Sequence, residues 1–545
     1  MTATPLLAVQ DLSITYGGRD YPAVKNVSFV VNQGEKLALV GESGCGKSTL
    51  GRSILQLLPP HTQYQGAIAF EGKNILTMAE QDWRHFRGEV VSLVFQDPMT
   101  RLNPLMTIGD HCVETLQAHQ PQLSRSVAKQ RALDCLERVK IPASRWNQYA
   151  HEFSGGMRQR VAIALALLLK PKLILADEPT TALDVTVAAE ILAELTRLCA
   201  EDNLGLLLIS HDLAMVGEHC DRLAVMNGGE IVEMGVAKDI LSQPHHPYTQ
   251  TLLAAALHPV QTSVDFPETL PEKPILKLKN IQQHFSLEGN LIQNLFQRQR
   301  QWIKAVDGIN LDIFAGETVG LVGESGCGKS TLSRTILQLM PPTAGQVIFD
   351  GEDLTQLSAQ QMRAKRRQLQ MIFQDPNACL NPMMTVGQSI ADPLIIHGLG
   401  SRDEIKAKVM TMLERVELTP TDDYFDRFPR QLSGGQQQRV AIARALITNP
   451  KFVICDEPVS MLDARVQSQV LTLMQELKSD FNLTYLFITH DLWVARAFCD
   501  RIAVMYQGKI VELGETETLF TSPQHLYTQK LLAAAPALLN VFVNK

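Results

Sequence analysis

Two stretches of this chain have the residue types and spacing to hold a phosphate chain. Gly41-Glu-Ser-Gly-Cys-Gly-Lys47-Ser48 and Gly323-Glu-Ser-Gly-Cys-Gly-Lys329-Ser330 both fit GxxxxGK[ST]. In that pattern the glycines let backbone N–H groups turn inward around phosphates. The lysine reaches the terminal phosphates, the hydroxyl binds Mg²⁺, and a following helix adds its dipole. The residues in reach are Gly41, Ser43, Gly44, Cys45, Gly46, Lys47, Ser48 and Thr49, and Gly323, Ser325, Gly326, Cys327, Gly328, Lys329, Ser330 and Thr331. Average composition gives about 0.02 such matches in a chain of this length. Two matches, each after an apolar run and before a helical stretch, set aside a chance glycine-rich turn.

Two acidic pairs, Asp177-Glu178 and Asp456-Glu457, end apolar runs. A carboxylate there can hold Mg²⁺ through water, and its neighbour can orient or deprotonate an attacking water. Standing alone such a pair reads as a solvated turn; with a phosphate loop in the same half of the chain the chemical reading prevails. Ser154-Gly155-Gly156 and Ser433-Gly434-Gly435 each precede a helical stretch running toward Pro171 or Pro450. Serine is a good N-cap, and paired glycines expose the first helical N–H groups. Taken singly this is a capped surface helix, but it recurs just upstream of the acidic pair in both halves.

The elements that must position these residues follow from short apolar runs. Leu37–Val40, Leu173–Ala176 and Leu206–Ile209, with Val319–Val322, Phe452–Cys455 and Tyr485–Ile488, lack alternation and suit strands buried on both faces of a parallel sheet. Helical stretches follow, such as Ser48–Leu58, stopped by Pro59-Pro60. This is α/β architecture.

The chain is written twice. LVGESGCGKSTL begins at Leu39 and again at Leu321, and FQDP, SGG, DEP, HDL and YTQ recur in the same order. The two glycine loops are 282 residues apart, and the SGG, DE, HD and YTQ elements 279. A repeat that long is a duplicated domain. The expected division is 1–258, a proline-rich polar linker at 259–274, and 275–545. The second copy carries 13 extra residues between Phe285 and Ala305.

Composition bounds the rest. The chain has 545 residues, 45% apolar and 20% charged, with a net charge of −7. That excludes collagen-like, coiled-coil and disordered classes and argues against a nucleic-acid coat protein. Nine cysteines without a CxxC pair make a disulfide framework improbable and point to a reducing compartment. No apolar run reaches the length of a membrane span, and the N-terminus lacks the basic start and apolar core of a signal peptide. The protein is expected in the cytoplasm, with any membrane role exercised through partners.

The order glycine loop, glutamine loop, SGG signature, DE pair and histidine resembles the ATP-binding-cassette ATPases over nearly the whole chain. The resemblance implies two tandem cassettes, each a RecA-like P-loop lobe of α/β fold with an inserted α-helical lobe. It implies two ATPs bound between head-to-tail cassettes, Lys47 sharing one with Ser433 and Lys329 the other with Ser154. By position, Tyr16 and Phe285 would stack on adenine; each could instead be a plain strand residue. Gln96 and Gln374 would touch Mg²⁺, together with Ser48, Asp177, Ser330 and Asp456. Glu178 and Glu457 would be catalytic bases, and His211 and His490 would contact the γ-phosphate. Asp184 and Asp463 would form loops joining the two sites. The first signature departs from the pattern, FSGGM with Met157 against LSGGQ with Gln436. Two hydrolytic sites of unequal or equal strength are both compatible with that.

Within the family, FQDPMTRLNPLMTIG, FQDPNACLNPMMTVG, HHPYTQTLL and QHLYTQKLL resemble the ATPases of dipeptide, oligopeptide and nickel importers, here fused as in microcin C-type and glutathione-type systems. The resemblance implies two integral-membrane permease subunits, a periplasmic or extracellular peptide-binding protein, and a place at the cytoplasmic face of the bacterial inner membrane. No nucleic-acid partner is expected. Relatives carry a cysteine cluster for an iron–sulfur centre after the HPYT element; no cysteine follows Tyr527 and none lies between Tyr248 and Cys327, so no such cluster is expected. The insertion at 286–304, with Leu291, Leu295, Phe296, Arg298, Arg300 and Trp302, reads either as a surface hairpin or short helix or as a membrane or partner contact. Dipeptides, longer peptides, glutathione, peptide antibiotics and nickel chelates all remain open as cargo. A soluble tandem-cassette translation factor is the rival from another class, but its long charged linker is not seen here.

Overall fold

Strand Lys36–Val40 delivers Ala38 and Val40 to one core and Leu37 and Leu39 to another, because successive side chains of a strand point to opposite faces. Both faces are covered, so Leu37 through Val40 are all apolar and no alternation shows in the sequence. The computed structural model describes residues 4–18, 20–96, 101–181, 183–256, 273–286, 302–460 and 462–533. Most of the expected linker, 259–272, and most of the insertion, 287–301, lie outside the described residues. The chain divides into two compact units, one built on Met1–Leu257 and the other on His258–Leu462 and Val466–Ala535.

In the first unit, β1 (Leu7–Thr15), β2 (Val24–Val31), β4 (Gln63–Phe70) and β5 (Lys73–Asn74) form an antiparallel sheet in the order β2-β1-β4-β5. A second sheet runs β10-β9-β3-β8-β7-β6, from β3 (Lys36–Val40), β6 (Val91–Val94), β7 (Leu173–Asp177), β8 (Gly205–Ser210), β9 (Arg222–Asn227) and β10 (Glu230–Val236). It is parallel except for the edge pair β9–β10. Between β6 and β7 the chain leaves the sheet for helices Ile108–His119, Arg125–Arg138 and Gly155–Leu167. These pack through Ile108, Cys112 and Leu116, Ala128, Ala132 and Leu136, and Val161 and Ala164, at the spacing of one helical face. The inserted helical lobe is thus part of one of the sheet's two cores.

The second unit repeats the plan. Strands β11 (Leu276–Ser286), β12 (Trp302–Ile313), β14 (Ala344–Phe349) and β15 (Glu352–Asp353) pair as β12-β11-β14-β15. Strands β13 (Thr318–Val322), β16 (Leu369–Ile372), β17 (Phe452–Asp456), β18 (Thr484–Thr489), β19 (Arg501–Tyr506) and β20 (Lys509–Glu515) pair as β16-β17-β18-β13-β19-β20. Helices Val386–Ile396, Arg402–Arg415 and Gly434–Leu446 form its inserted lobe. Of the insertion's named residues, Trp302 is described: it starts β12 opposite Ser286 and is half exposed.

One expected boundary moves. The helix after the first phosphate loop is Lys47–Ile54, not Ser48–Leu58. It stops before the prolines because Gln56 takes a left-handed conformation (φ 48°), with Gln56 N–H donating to Ser53 O at 3.0 Å and Leu57 N–H to Arg52 O at 3.0 Å. The second copy closes Lys329–Ile336 identically through Gln338 (φ 50°). All nine cysteines are free thiols. Among the described residues, no helix is long and apolar enough to cross a membrane.

Candidate functional site

The C-terminal ends of four neighbouring parallel strands supply the site in each unit, where open α/β sheets collect ligands. β3 runs into the phosphate loop, β7 ends on Asp177 followed by Glu178, β8 ends at Ser210 before His211, and Gln96 lies two residues beyond β6. The second unit uses β13, β17, β18 and β16 in the same way.

The loop backbone requires glycine. Gly46 has φ 105°, and a Cβ there would lie 2.5 Å from the Ala23 carbonyl oxygen; Gly328 has φ 112° in the same place. The helix then begins at Lys47, its first N–H groups facing the loop. The Lys47 ammonium is buried and donates to the carbonyls of Gly41 at 2.7 Å and Glu42 at 2.8 Å. Lys329 does the same with Gly323 at 2.6 Å and Glu324 at 3.1 Å. Lys47 also lies 3.8 Å from Cys45 Sγ, and a buried cation whose direct acceptors are neutral suits an incoming phosphate. Cys45 and Cys327 are buried within their loops, and burial pushes both thiols up despite the nearby lysines.

Ser48 donates to Asp177 Oδ1 at 2.8 Å, and Ser330 to Asp456 Oδ1 at 3.4 Å. Burial raises the Asp177 carboxyl, as it does Asp456, where Glu457 adds to the effect; the serine bond opposes it in both. Arg52 approaches Asp177 at 3.6 Å. A hydroxyl beside a buried carboxylate is the hard-oxygen chemistry that fits Mg²⁺.

Glu178 and Glu457 sit in left-handed backbone conformations, φ 49° each, held by N–H bonds to Ile209 O and Ile488 O at 2.9 Å. Backbone strain of this kind is found at functional positions. On Glu178, one oxygen, Oε2, receives Gln96 Nε2 at 3.1 Å, Thr181 Oγ1 at 3.0 Å and His211 Nδ1 at 3.3 Å. On Glu457, Oε2 receives Gln374 Nε2 at 2.7 Å and His490 Nδ1 at 3.1 Å. Burial raises both carboxyls, but the histidine bonds and charges outweigh it and hold them below the ordinary range. Each histidine is correspondingly raised: burial alone would lower it, and its glutamate more than offsets that.

The signature serines cap their helices. Ser154 accepts from Met157 N–H at 3.4 Å and Ser433 from Gln436 N–H at 3.3 Å. Gln436 also returns Oε1 to Ser433 N–H at 3.0 Å and donates Nε2 to Tyr424 at 3.0 Å. Met157 has no such acceptor to offer. Tyr16 follows β1, with its hydroxyl 2.8 Å from Thr49 Oγ1; Phe285 lies inside β11 opposite Ile303, 39% exposed. Asp184 caps helix Val185–Glu201 through Val187 N–H.

Each unit therefore brings together its own phosphate loop, acidic pair, glutamine and histidine. The sequence reading missed Tyr248 and Tyr527, whose phenol oxygens accept from the N–H of Glu42 at 3.2 Å and of Glu324 at 3.1 Å. The recurrence of YTQ after both copies was the available signal.

Comparison with known proteins gives the family. Residues 24–181 and 306–460 match the ABC transporter family, and residues 232–280 and 511–540 match the oligopeptide/dipeptide transporter C-terminal region. The chain is 40% identical over 572 aligned residues to the glutathione import ATP-binding protein GsiA of Shigella dysenteriae serotype 1 and to that of Escherichia coli K12, covering 98% of this chain and 90% of each relative. A solved dimeric ATP-binding cassette with ADP and phosphate aligns to 44% of this chain and 98% of its own, with 32% identity and a TM-score of 0.39. The chain belongs to the ABC transporter family, as a two-cassette ATP-hydrolysing protein of the oligopeptide/dipeptide transporter type.

Proposed function

We propose that this chain is the energy-coupling ATPase of an importer of peptide-like substrates, working at the cytoplasmic face of a bacterial inner membrane with two permease subunits and a substrate-binding protein. The observation that carries the hydrolytic part is the convergence of glutamine and histidine on one oxygen of Glu178 and of Glu457, beside a phosphate loop. That arrangement favours the ionised carboxylate, the form able to accept the proton of an attacking water. Lys47 and Lys329 exchange loop carbonyls for the terminal phosphates of ATP. Ser48 with Asp177, and Ser330 with Asp456, would hold Mg²⁺, with Gln96 and Gln374 beside them; the ion neutralises charge on the phosphates. Ser154-Gly155-Gly156 and Ser433-Gly434-Gly435 would each offer a capped helix N-terminus to phosphate. Tyr16 and Phe285 provide the adenine platforms, and Asp184 and Asp463 stand in the loops that follow the acidic pairs.

The names of the relatives support glutathione as one cargo, and the C-terminal family supports short peptides in general. The test uses the chain assembled with its permeases and binding protein. Glu178→Gln or Glu457→Gln is expected to lower ATP turnover at least tenfold while ATP binding persists; unchanged turnover in both variants would defeat the assignment of the bases. Uptake of radiolabelled glutathione and of dipeptides then decides the cargo, and uptake of neither rejects the peptide-like reading.

A further inference from the structure

Tyr248 and Tyr527 lie 206 and 203 residues from the loop residues they touch. The N–H of Glu42 and the carbonyl of Gly41 belong to a single peptide group. Tyr248 takes the N–H at 3.2 Å, and Lys47 holds the carbonyl at 2.7 Å. The peptide joining Gly323 and Glu324 is gripped in the same way, by Tyr527 at 3.1 Å and Lys329 at 2.6 Å. The first peptide of each phosphate loop is therefore held on both edges. One holder is the lysine that must turn to the phosphates, and the other is a tyrosine that has no reason to leave.

The surrounding chain is built to deliver that hydroxyl. Glu233 on β10 accepts the N–H groups of His245 at 2.9 Å and His246 at 3.2 Å, and His246 Nδ1 accepts Tyr248 N–H at 3.1 Å. In the second unit Glu512 accepts from Gln524 at 2.8 Å and His525 at 3.0 Å, and His525 Nδ1 accepts Tyr527 N–H at 3.2 Å. The histidine folds the turn and the tyrosine reaches the loop. Both rings also pack on the core of their own unit, but one ring neighbour differs between the copies. Tyr527 lies 4.2 Å from the ring of Tyr506, whereas the first unit has Asn227 at that place. The ring's neighbour changes and the hydroxyl contact stays. Burial pushes the Tyr248 phenol up to about 12, so it is a neutral hydroxyl at working pH.

We propose that Tyr248 and Tyr527 are positioning residues for ATP binding, each fixing the first peptide of its phosphate loop while the lysine turns from the glycine carbonyl to the nucleotide. The C-terminal element is by this contact a working part of each ATP site. The proposal rests on the reading that these loops hold ATP.

Tyr248→Phe combined with Tyr527→Phe removes two hydroxyls and keeps both rings. In the full chain, Mg·ATP binding is measured by titration with a fluorescent ATP analogue, with turnover measured in the permease complex. Loss of one neutral hydrogen bond per site predicts a Kd and KM raised about fivefold, with kcat within about twofold. Faster hydrogen exchange at the Glu42 and Glu324 amides is expected in the nucleotide-free chain. Unchanged KM, or a fall in kcat with KM unmoved, overturns the inference. If the variant is thermally destabilised, unchanged exchange at those two amides overturns it equally. Failure of the wild-type chain to bind ATP would instead defeat the reading of the loops.

Discussion

His211 Nδ1 stands 3.3 Å from Glu178 Oε2, and the pair shifts both partners toward their charged forms, the carboxyl downward and the imidazole upward. The signs define a window. A lowered carboxyl contributes stability that is present above its ordinary value of 4.5 and lost as pH falls through its folded value. A raised histidine contributes stability that is present below 6.5 and lost as pH rises through its folded value. The stability gap between wild type and Glu178→Gln should therefore be wider at pH 6 than at pH 8.5. Urea unfolding at the two pH values measures it, and a gap that grows toward pH 8.5 contradicts the ion pair.

The two signature helices share N-cap geometry, with Ser154 at φ −65°, ψ 164° and Ser433 at φ −69°, ψ 162°, yet only Gln436 returns a side-chain bond to its cap. Met157→Gln should complete the same reciprocal cap in the first unit. The expected gain is about 0.5 to 1 kcal/mol, a rise of about 2 °C in the melting of that cassette. Gln436→Met should cost a similar amount in the other. Calorimetry of the full chain reads both, and a Met157→Gln variant that melts lower refutes the capping argument.

Eight of the nine cysteines are buried, and Cys379 is half-buried. Burial pushes Cys112, Cys199 and Cys220 up to about 12, and Cys45 and Cys327 upward as well. The thiolate is the reactive form. Native chain at pH 7.5 should therefore resist a thiol reagent except for slow labelling of Cys379, and all nine should react after denaturation. Rapid native labelling of Cys45 would show that its loop opens far more readily than its packing implies.

The chemistry of each site was legible because it is local: Gly41 through Ser48, Asp177-Glu178 and His211 each announce themselves within a few residues, and the strands before them are unbroken apolar runs. The relations between those pieces were not. That Gln96 donates to Glu178 and that Tyr248 holds Glu42 depends on which strands lie side by side, and no spacing encodes it. The end of the helix at Ile54 was misread because a proline is a conspicuous stop, whereas a glutamine in a left-handed turn is not. The four-stranded antiparallel sheets also went unseen, since β1 and β11 mix exposed polar residues and bulged register into their apolar pattern.

The two-sided burial of β3 and its parallel neighbours bears on how the two halves can diverge. A strand that feeds alternate residues to separate cores cannot gain or lose one residue without sending every later side chain to the wrong core. Accordingly β3 and β13 both have 5 residues, β7 and β17 both 5, and β8 and β18 both 6. The extra residues of the second half fall instead between β11 and β12, two strands of the antiparallel sheet. Since the duplication the antiparallel strands have changed length, β1 and β2 having 9 and 8 residues against 11 and 12 in β11 and β12, while the parallel sheet has served as a fixed ruler against which both halves can be measured.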